Sequence, residues 1–366
     1  MKIPLVDLKA QYVSIKNEID AAIQNVISDT AFIKGKYVQE FEEEYAAACG
    51  VKHCVSCANG TDAIYITLKV LGIGVGDEVI TVANTWISTA ETITQAGARP
   101  IFVDINPCNF TIDVSKIEEK ITQSTKAIIP VHLYGHPADM TKIMEIGKKY
   151  NLKIIEDCAQ AHFAEWQGQS VGTFGDAGTF SFFPGKNLGA YGDAGCIVTN
   201  DDELGEKSRM FANHGALRKH SHEFEGINSR LDGLQAAVLS VKLKSIHKWT
   251  NLRIQNAAIY DESLSINEDL TVPKTDHAAK HVFHLYVIRT KKRNELQGYL
   301  KEHGISTGIH YPIALPYQKA YEYLGHSIED FPTALQYSYE ILSLPMYPEL
   351  DEKTILSITN LLDSFF

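Results

Sequence analysis

Short apolar runs alternate with amphipathic stretches through the first 200 residues, and this alternation limits the possible folds more than any other feature. The runs are rich in Val, Ile and Phe and mostly lack a polar residue at every second position, which is typical of strands buried on both faces of a parallel sheet. The predicted strands span 77–83, 99–105, 125–133, 151–159, 178–183 and 195–200. Helical spacing is found over 61–72, 85–97 and 139–151, each ending at Gly or Asn. The sequence therefore predicts an α/β fold with a large, mostly parallel sheet.

The pattern changes after about residue 245. A long polar helical stretch, 243–264, leads to an apolar run at 281–290 and then to a further helical stretch at 293–304. We therefore predict two domains, a large α/β domain over 1–245 and a smaller α+β domain over 246–366.

The charge and the lengths of the apolar segments argue against a nucleic-acid partner and a membrane partner, respectively. The formal net charge is −11, and no run of Lys or Arg forms a stripe that could follow a phosphate backbone, so we expect no nucleic-acid partner. The N-terminal residues lack the apolar core of a signal peptide, and no segment approaches the roughly 18 apolar residues of a membrane span. We expect a cytoplasmic protein with no membrane partner.

The cysteines and histidines do not suggest a metal centre. Cys54 and Cys57 form an isolated CxxC, whereas a structural zinc site needs a second pair of ligands. The histidines are dispersed and lack the spacing of zinc ligands. We expect no metal and no disulfide framework.

Polar and small residues are concentrated where predicted strands end or a predicted helix begins. Asp157 ends one apolar strand, and Ser181 and Lys186 follow another. A Gly-Thr pair at 60–61 comes directly before a helix. Because ligands of open α/β sheets bind outside the carboxyl ends of the strands, these groups are candidates for one site.

Each group also has an ordinary explanation, as a helix cap, a solvated lysine or a plain turn. Together they fit one cofactor. A helix N-terminus after Gly and Thr can hold a phosphate, Asp157 can hold a pyridinium N–H, and Lys186 can form a Schiff base with the aldehyde of pyridoxal phosphate. Lys186 lies in "FFPGKNLGAYGDAG", among glycines and aromatics with few counter-ions, so we expect desolvation to lower its pKa.

Over essentially its whole length the chain resembles the DegT/DnrJ/EryC1/StrS family of pyridoxal-phosphate sugar aminotransferases, which have the aspartate aminotransferase fold (fold type I). The matching stretches are "IPLVDLKAQY", "SCANGTDAI", "GVGDEVIT", "ARPIFVDI", "TKAIIPVHLYGHPADM", "IIEDCAQAH", "FSFFPGKNLGAYGDAGCIVTND", "GINSRLDGLQAAVL", "HLYVI" and "GIHYPIALPYQKAY". The resemblance implies that Lys186 and Asp157 are the catalytic residues, Lys186 as the Schiff-base lysine and Asp157 on the pyridine nitrogen. It also implies that Gln160 lies beside the cofactor's 3-hydroxyl.

The resemblance implies further cofactor contacts. Gly60, Thr61 and Ser181 would hold the phosphate, and Trp86 would stack on the pyridine ring. Asn228 would reach the phosphate of the neighbouring subunit, so the active site would be shared across a homodimer.

The implied activity is amino transfer from L-glutamate to a keto group of a nucleotide-linked sugar, with 2-oxoglutarate as the other product. Lys186 stands where some relatives that dehydrate sugars carry His, which favours transamination. "PVHLYGHPADM", "EDCAQAH" and "FFPGKNLGAYGDAG" resemble the branch that acts on dTDP-linked 3-keto-6-deoxyhexoses. A UDP-linked 3-keto sugar and a 4-keto sugar are the neighbouring alternatives.

Substrate selection is predicted to depend on the C-terminal segment "GIHYPIALPYQKAY" and on Tyr191. His310, Tyr311 and Tyr317 offer ring N–H and hydroxyl groups around a turn stiffened by proline, suited to sugar hydroxyls and a diphosphate, although they could also pack a domain interface. A remote alternative function is a non-catalytic regulator that binds pyridoxal phosphate. It predicts an added DNA-binding segment, and the sequence contains neither a further domain nor a basic region.

Overall fold

The computed structural model describes residues 2–366. Its strands are β1 (His53–Cys57), β2 (Glu78–Val82), β3 (Arg99–Val103), β4 (Thr125–Ile129), β5 (Lys153–Asp157), β6 (Glu165–Trp166), β7 (Gln169–Ser170), β8 (Ala177–Ser181), β9 (Gly195–Thr199), β10 (Ala279–Lys280), β11 (Tyr286–Arg289) and β12 (Ile341–Leu344). Its α-helices are α1 (Leu8–Ser14), α2 (Lys16–Ser28), α3 (Lys36–Cys49), α4 (Gly60–Val70), α5 (Ser88–Ala96), α6 (Met140–Tyr150), α7 (Asp202–Phe211), α8 (Gly233–Leu243), α9 (Ile246–Leu264), α10 (Arg293–Glu302), α11 (Pro332–Glu340) and α12 (Glu352–Phe365).

The predicted parallel sheet is confirmed. Seven strands form it in the order β1-β9-β8-β5-β4-β2-β3, and β9 alone runs antiparallel to its neighbours. The consecutive residues Val79, Ile80, Thr81 and Val82 are all fully buried. Since successive side chains of a strand point to opposite faces, both faces of the sheet are covered, as the continuous apolar runs predicted.

Local signals explain where the helices begin and end. The side chain of Asn59 caps α4 by accepting a hydrogen bond from the amide of Asp62 at 2.8 Å, and Asp139 caps α6 in the same way. Helix α5 ends at Gly97, whose φ of 97° lies in the left-handed region where glycine has no steric penalty. These residues place the start of α4 next to the strand ends described below.

The C-terminal part builds a second core around the antiparallel pair β11–β12, with α9, α10 and α12 packed on it. The core also receives Ile3 from the N-terminus, which pairs with Ile305 in a parallel bridge. The division into domains at residue 245 stays a prediction, but residues near the N-terminus pack with the C-terminal part rather than with the large sheet.

Among residues 2–366, no helix combines the length and apolar character needed to cross a membrane. The cytoplasmic location stays a prediction.

Candidate active site

The end of β8 and the start of α4 lie in direct contact. A Cβ atom on Gly60 would lie 2.7 Å from the Cβ of Ser181, well inside van der Waals contact, so only glycine allows this approach. The next residue, Thr61, forms a 2.7 Å hydrogen bond through its hydroxyl with the hydroxyl of Ser88. The free amides at the start of α4 thus lie beside two hydroxyl-bearing residues, an arrangement suited to a phosphate.

Asp157 ends β5, which runs parallel to β8. Its side chain is buried, and each oxygen accepts a hydrogen bond, one from the hydroxyl of Thr89 at 2.7 Å and one from the amide of Ala159 at 3.1 Å. Two donors from different segments therefore fix the orientation of this carboxylate. Sequence reasoning missed Thr89, because nothing in "TWISTAET" indicates which hydroxyl faces the sheet.

Lys186 lies in the tight loop that follows β8. The loop closes on itself through hydrogen bonds from the amide of Lys186 to the carbonyl of Phe183 and from the amide of Ala190 to the carbonyl of Phe182. Burial lowers the pKa of the Lys186 amine to about 8, while the nearby charge of Asp157 acts in the opposite direction. The direction of this pKa shift agrees with the desolvation expected from the sequence.

Three histidines lie close enough to Lys186 for its charge to affect them, and burial lowers the pKa of each. Burial, with a smaller contribution from Lys186, lowers the pKa of His310 to about 4 and that of His284 well below its usual range. Burial also lowers the pKa of His162 to about 4. His162 bridges the hydroxyl of Tyr45 at 2.8 Å and the carbonyl of Ser181 at 2.9 Å, so it supports the end of β8.

Gln160, Tyr311 and Trp86 form a second set of contacts beside Asp157. The amide of Gln160 donates to the hydroxyl of Tyr311 at 3.0 Å, and its oxygen accepts from the backbone of Tyr134 at 2.6 Å. The ring of Trp86 lies 5.7 Å from that of Tyr311 and is 56% exposed. An exposed aromatic face is thus available at the site for a planar ligand.

The other predicted residues lie in more varied settings. The ring nitrogen Nδ1 of His310 forms a 2.8 Å hydrogen bond with the hydroxyl of Ser343. The hydroxyl of Tyr317 donates to the carbonyl of Ile328 and accepts from the amide of Phe331, so bonds within the chain already engage it. Tyr191 is exposed, and its ring lies against the ammonium of Lys242. Asn228 is also exposed and pairs with Asn213 through a backbone bridge.

One buried group, His132, Glu156 and Cys158, has the composition of a metal site. Its carboxylate is already engaged by hydrogen bonds: the oxygens of Glu156 accept from His132 and from the amides of Gly172, Phe174 and Gly175. The other ring nitrogen of His132 accepts from the amide of Ala138. The cluster therefore has the hydrogen bonding of a structural carboxylate that holds the 172–175 turn behind β5.

The chemistry of these groups fits pyridoxal phosphate at three points. The contact between Gly60 and Ser181 leaves backbone amides free for a phosphate, and Asp157 is a fixed anion suited to a protonated ring nitrogen. The lowered pKa of the Lys186 amine makes its neutral form, the form that reacts with an aldehyde, easier to reach. The strand that leads into the Lys186 loop, β8, and the strand that ends at Asp157, β5, are adjacent in the sheet.

Comparison with known proteins gives a consistent result. The profile of the DegT/DnrJ/EryC1/StrS aminotransferase family matches residues 13–363. A "Pleiotropic regulatory protein" of Geobacillus stearothermophilus is 47% identical over 96% of this chain and 95% of its own. A dTDP-3-amino-3,6-dideoxy-alpha-D-galactopyranose transaminase of Aneurinibacillus thermoaerophilus is 44% identical over 96% of both chains. A UDP-N-acetyl-3-dehydro-alpha-D-glucosamine 3-aminotransferase of Acidithiobacillus ferrooxidans is 43% identical over 98% of this chain and 97% of its own.

Among solved structures, that of S. venezuelae DesV in complex with a ketimine intermediate superposes with a TM-score of 0.98 at 39% identity, covering 100% of this chain and 98% of that one. The superposition therefore spans the whole chain. The chain therefore belongs to the DegT/DnrJ/EryC1/StrS aminotransferase family, whose enzymes depend on pyridoxal phosphate.

Proposed function

We propose that this enzyme transfers the amino group of L-glutamate to the C3 keto group of a dTDP-linked 3-keto-6-deoxyhexose, for the synthesis of amino sugars of surface glycans. The observation that carries the proposal is the meeting of Lys186, Asp157 and the Gly60–Ser181 contact at one end of the sheet. The dTDP-linked substrate is supported by the name of the relative from Aneurinibacillus and by the DesV structure.

The catalytic roles follow from these positions. Lys186 would hold the cofactor through its aldehyde. Once the amino donor has displaced it there and freed its amine, Lys186 would be the group that accepts the proton from Cα of the donor and hands it on. Asp157 keeps the ring nitrogen protonated through its fixed, buried carboxylate. Pyridoxal phosphate, when bound, supplies a ring that withdraws the electrons left on Cα.

The remaining roles concern binding. Gly60, Thr61 and Ser181 hold the phosphate, and Trp86 covers the ring face. Gln160, oriented by its bond from Tyr134, lies beside the 3-hydroxyl.

Sugar recognition is proposed for His310, Tyr311, Tyr317 and Tyr191. Tyr311 is the best supported of these, because its hydroxyl bonds to Gln160 and its ring neighbours Trp86. The hydroxyl of Tyr317 would have to exchange its bonds with Ile328 and Phe331 to contact substrate. Tyr191 also has a second contact, with Lys242, which is developed below.

A panel of keto sugar nucleotides tests the substrate. With L-glutamate as donor, we expect the dTDP-linked 3-keto-6-deoxyhexose to gain an amine, detected by mass, at a higher kcat/KM than UDP-linked 3-keto or 4-keto sugars. A site that hydrogen-bonds one sugar hydroxyl loses about 1–3 kcal/mol for each partner that the wrong sugar leaves unpaired. A preference for the UDP-linked 3-keto sugar would transfer the proposal to the activity named for the relative from Acidithiobacillus.

The second candidate function is a regulator, which the name of the relative from Geobacillus favours. A regulator without catalysis would not need a lysine with a lowered pKa facing a fixed carboxylate, and this chain has both. A DNA-binding assay at moderate salt separates the two candidates, since the proposed enzyme should show no saturable binding while it aminates a keto sugar.

The proposed homodimer, with Asn228 completing the partner's phosphate site, is tested by mixing variants. Asn228 is exposed and makes its described pairing through the backbone, so its side chain is free to reach another subunit. We expect Lys186→Ala and Asn228→Ala to be inactive separately. An equimolar mixture with random subunit exchange should regain about a quarter of the wild-type activity, because half of the dimers then contain one native site.

The control for this mixture is Lys186→Ala combined with itself under the same exchange conditions. If verified hybrid dimers of the two variants are as inactive as this control, Asn228 acts within its own subunit or not at all.

A further inference from the structure

Helix α8 contacts the loop after Lys186 at two places. The side-chain oxygen of Gln235 accepts a hydrogen bond from the amide of Tyr191 at 2.8 Å. Two helical turns later, the ammonium of Lys242 donates to the carbonyl of Gly189 at 2.7 Å. Residues seven apart lie on the same face of a helix, so one face of α8 supports the loop three to five residues beyond Lys186.

The ammonium of Lys242 is in an unfavourable setting for a charge. The residue is 1% exposed, and burial lowers the pKa of its amine to about 8. No acidic side chain among residues 2–366 is close enough to form an ion pair with it. Its other close contact is the ring of Tyr191, whose centroid lies 4.3 Å from Nζ, so Tyr191 covers the ammonium and stabilises it by a cation–π interaction.

A more distant carboxylate offsets only part of the cost of burying this charge. Glu349 is the acidic residue whose charge favours the protonated form of Lys242. One oxygen of Glu349 is buried without a hydrogen-bond partner in the described chain. A buried cation held mainly by a backbone carbonyl and an aromatic ring is costly, so an apolar residue of similar length would be expected at this place if packing were its only role.

The contact lies where it can control the Lys186 loop. Gly189 itself is tightly packed, because a Cβ at this position would lie 2.3 Å from the carbonyl oxygen of Pro184. The next residue, Ala190, closes the loop by its 2.7 Å hydrogen bond to the carbonyl of Phe182. Fixing the Gly189 carbonyl therefore fixes the peptide plane that supplies this closing amide.

We infer that Lys242 is a positioning residue: by holding the Gly189 carbonyl and contacting the Tyr191 ring, it keeps the loop closed with Lys186 directed at the cofactor. The inference rests on the proposed role of Lys186. It also gives Tyr191 a role in covering the ammonium, in addition to the sugar contact proposed above.

The test replaces Lys242 by methionine, which keeps the length of the side chain but removes the charge and the donor. Three quantities are measured: deuterium exchange of the amides in 183–191 without cofactor, the dissociation constant of pyridoxal phosphate, and the absorption maximum of the bound cofactor. Loss of a hydrogen bond from a charged donor to a buried carbonyl should speed amide exchange in the loop and weaken cofactor binding by about 10- to 100-fold. We also expect the absorption maximum to shift, because the orientation of Lys186 changes.

Two further variants make the result specific. Lys244→Met removes an exposed lysine from the end of the same helix and should leave all three quantities at wild-type values. Lys242→Arg keeps a charged donor and should restore cofactor binding at least in part, which a purely packing role would not produce.

The inference is overturned if Lys242→Met folds and keeps the wild-type values of loop amide exchange, cofactor affinity and absorption maximum. If Lys242→Met does not fold, Tyr191→Leu, a change at an exposed ring, should still speed amide exchange at Gly189 and Ala190. Unchanged exchange in Tyr191→Leu would likewise overturn the inference. Borohydride reduction of the wild type, followed by peptide mapping, tests Lys186 separately, so a wrong role for Lys186 is distinguished from a wrong role for Lys242.

Discussion

Lys186→Ala should lower turnover at least about ten-thousandfold, because one side chain supplies both the covalent attachment and the proton transfer. The fold should survive. Among residues 2–366, no side-chain hydrogen bond or ion pair of the Lys186 ammonium is lost, and the change removes a partly buried charge. The measurements are steady-state amination of the keto sugar nucleotide and thermal unfolding.

The same variant has a chemical readout. In the wild type, borohydride should fix the cofactor on Lys186 and remove the yellow colour irreversibly, whereas Lys186→Ala should release its cofactor on denaturation after the same treatment. Lys248→Ala, a change at an exposed lysine of α9, is the matched control and should behave as wild type. Turnover of Lys186→Ala near the wild-type rate, or the reduced cofactor on another lysine, would remove Lys186 from the mechanism.

Asp157→Asn should reduce the rate of the half-reaction with L-glutamate by about a hundredfold or more, as is found when a fixed group that stabilises developing charge is removed. Asparagine has nearly the same shape, but it has no charge to keep the ring nitrogen protonated. Its amide nitrogen also cannot accept one of the two hydrogen bonds, from Thr89 and Ala159, that orient the carboxylate.

Thr89→Val is the graded control for this experiment. It removes one donor to Asp157 but leaves the charge, so the rate should fall by about tenfold, the cost of one hydrogen bond to a charged group. The half-reaction is followed by the absorption of the cofactor after mixing with L-glutamate. If Asp157→Asn loses less than Thr89→Val, the charge of Asp157 is not what the reaction requires.

The sequence predicts the sheet well because strand burial is a local signal. The runs that become β2, β3, β4, β5, β8 and β9 consist largely of residues that need cover on both faces. β1 was not predicted: "HCVSC" is short and mixes small polar residues with cysteine, and its strand character comes from pairing with β9.

The site residues also divide into those that local sequence indicates and those that depend on contacts between distant segments. Asp157 ends a strand and Lys186 follows one, and both lie in recognisable stretches, so the sequence could single them out as candidates. Thr89, His162 as a support of Ser181, and Lys242 depend on which faces of distant segments meet, and sequence spacing carries no information about that. Lys242 reads as an ordinary helix lysine, although it is buried.

The pairing of Ile3 with Ile305 has a consequence for synthesis on the ribosome. The strands of the large sheet have all been made by residue 199, so that sheet can assemble while the rest of the chain is still being translated. The N-terminal segment must wait for a partner made about 300 residues later, a delay of about 15 to 60 s at 5–20 residues per second. The segment around Ile3 is therefore made before the large sheet but is among the last to reach its native place, and until then its apolar residues are available to chaperones.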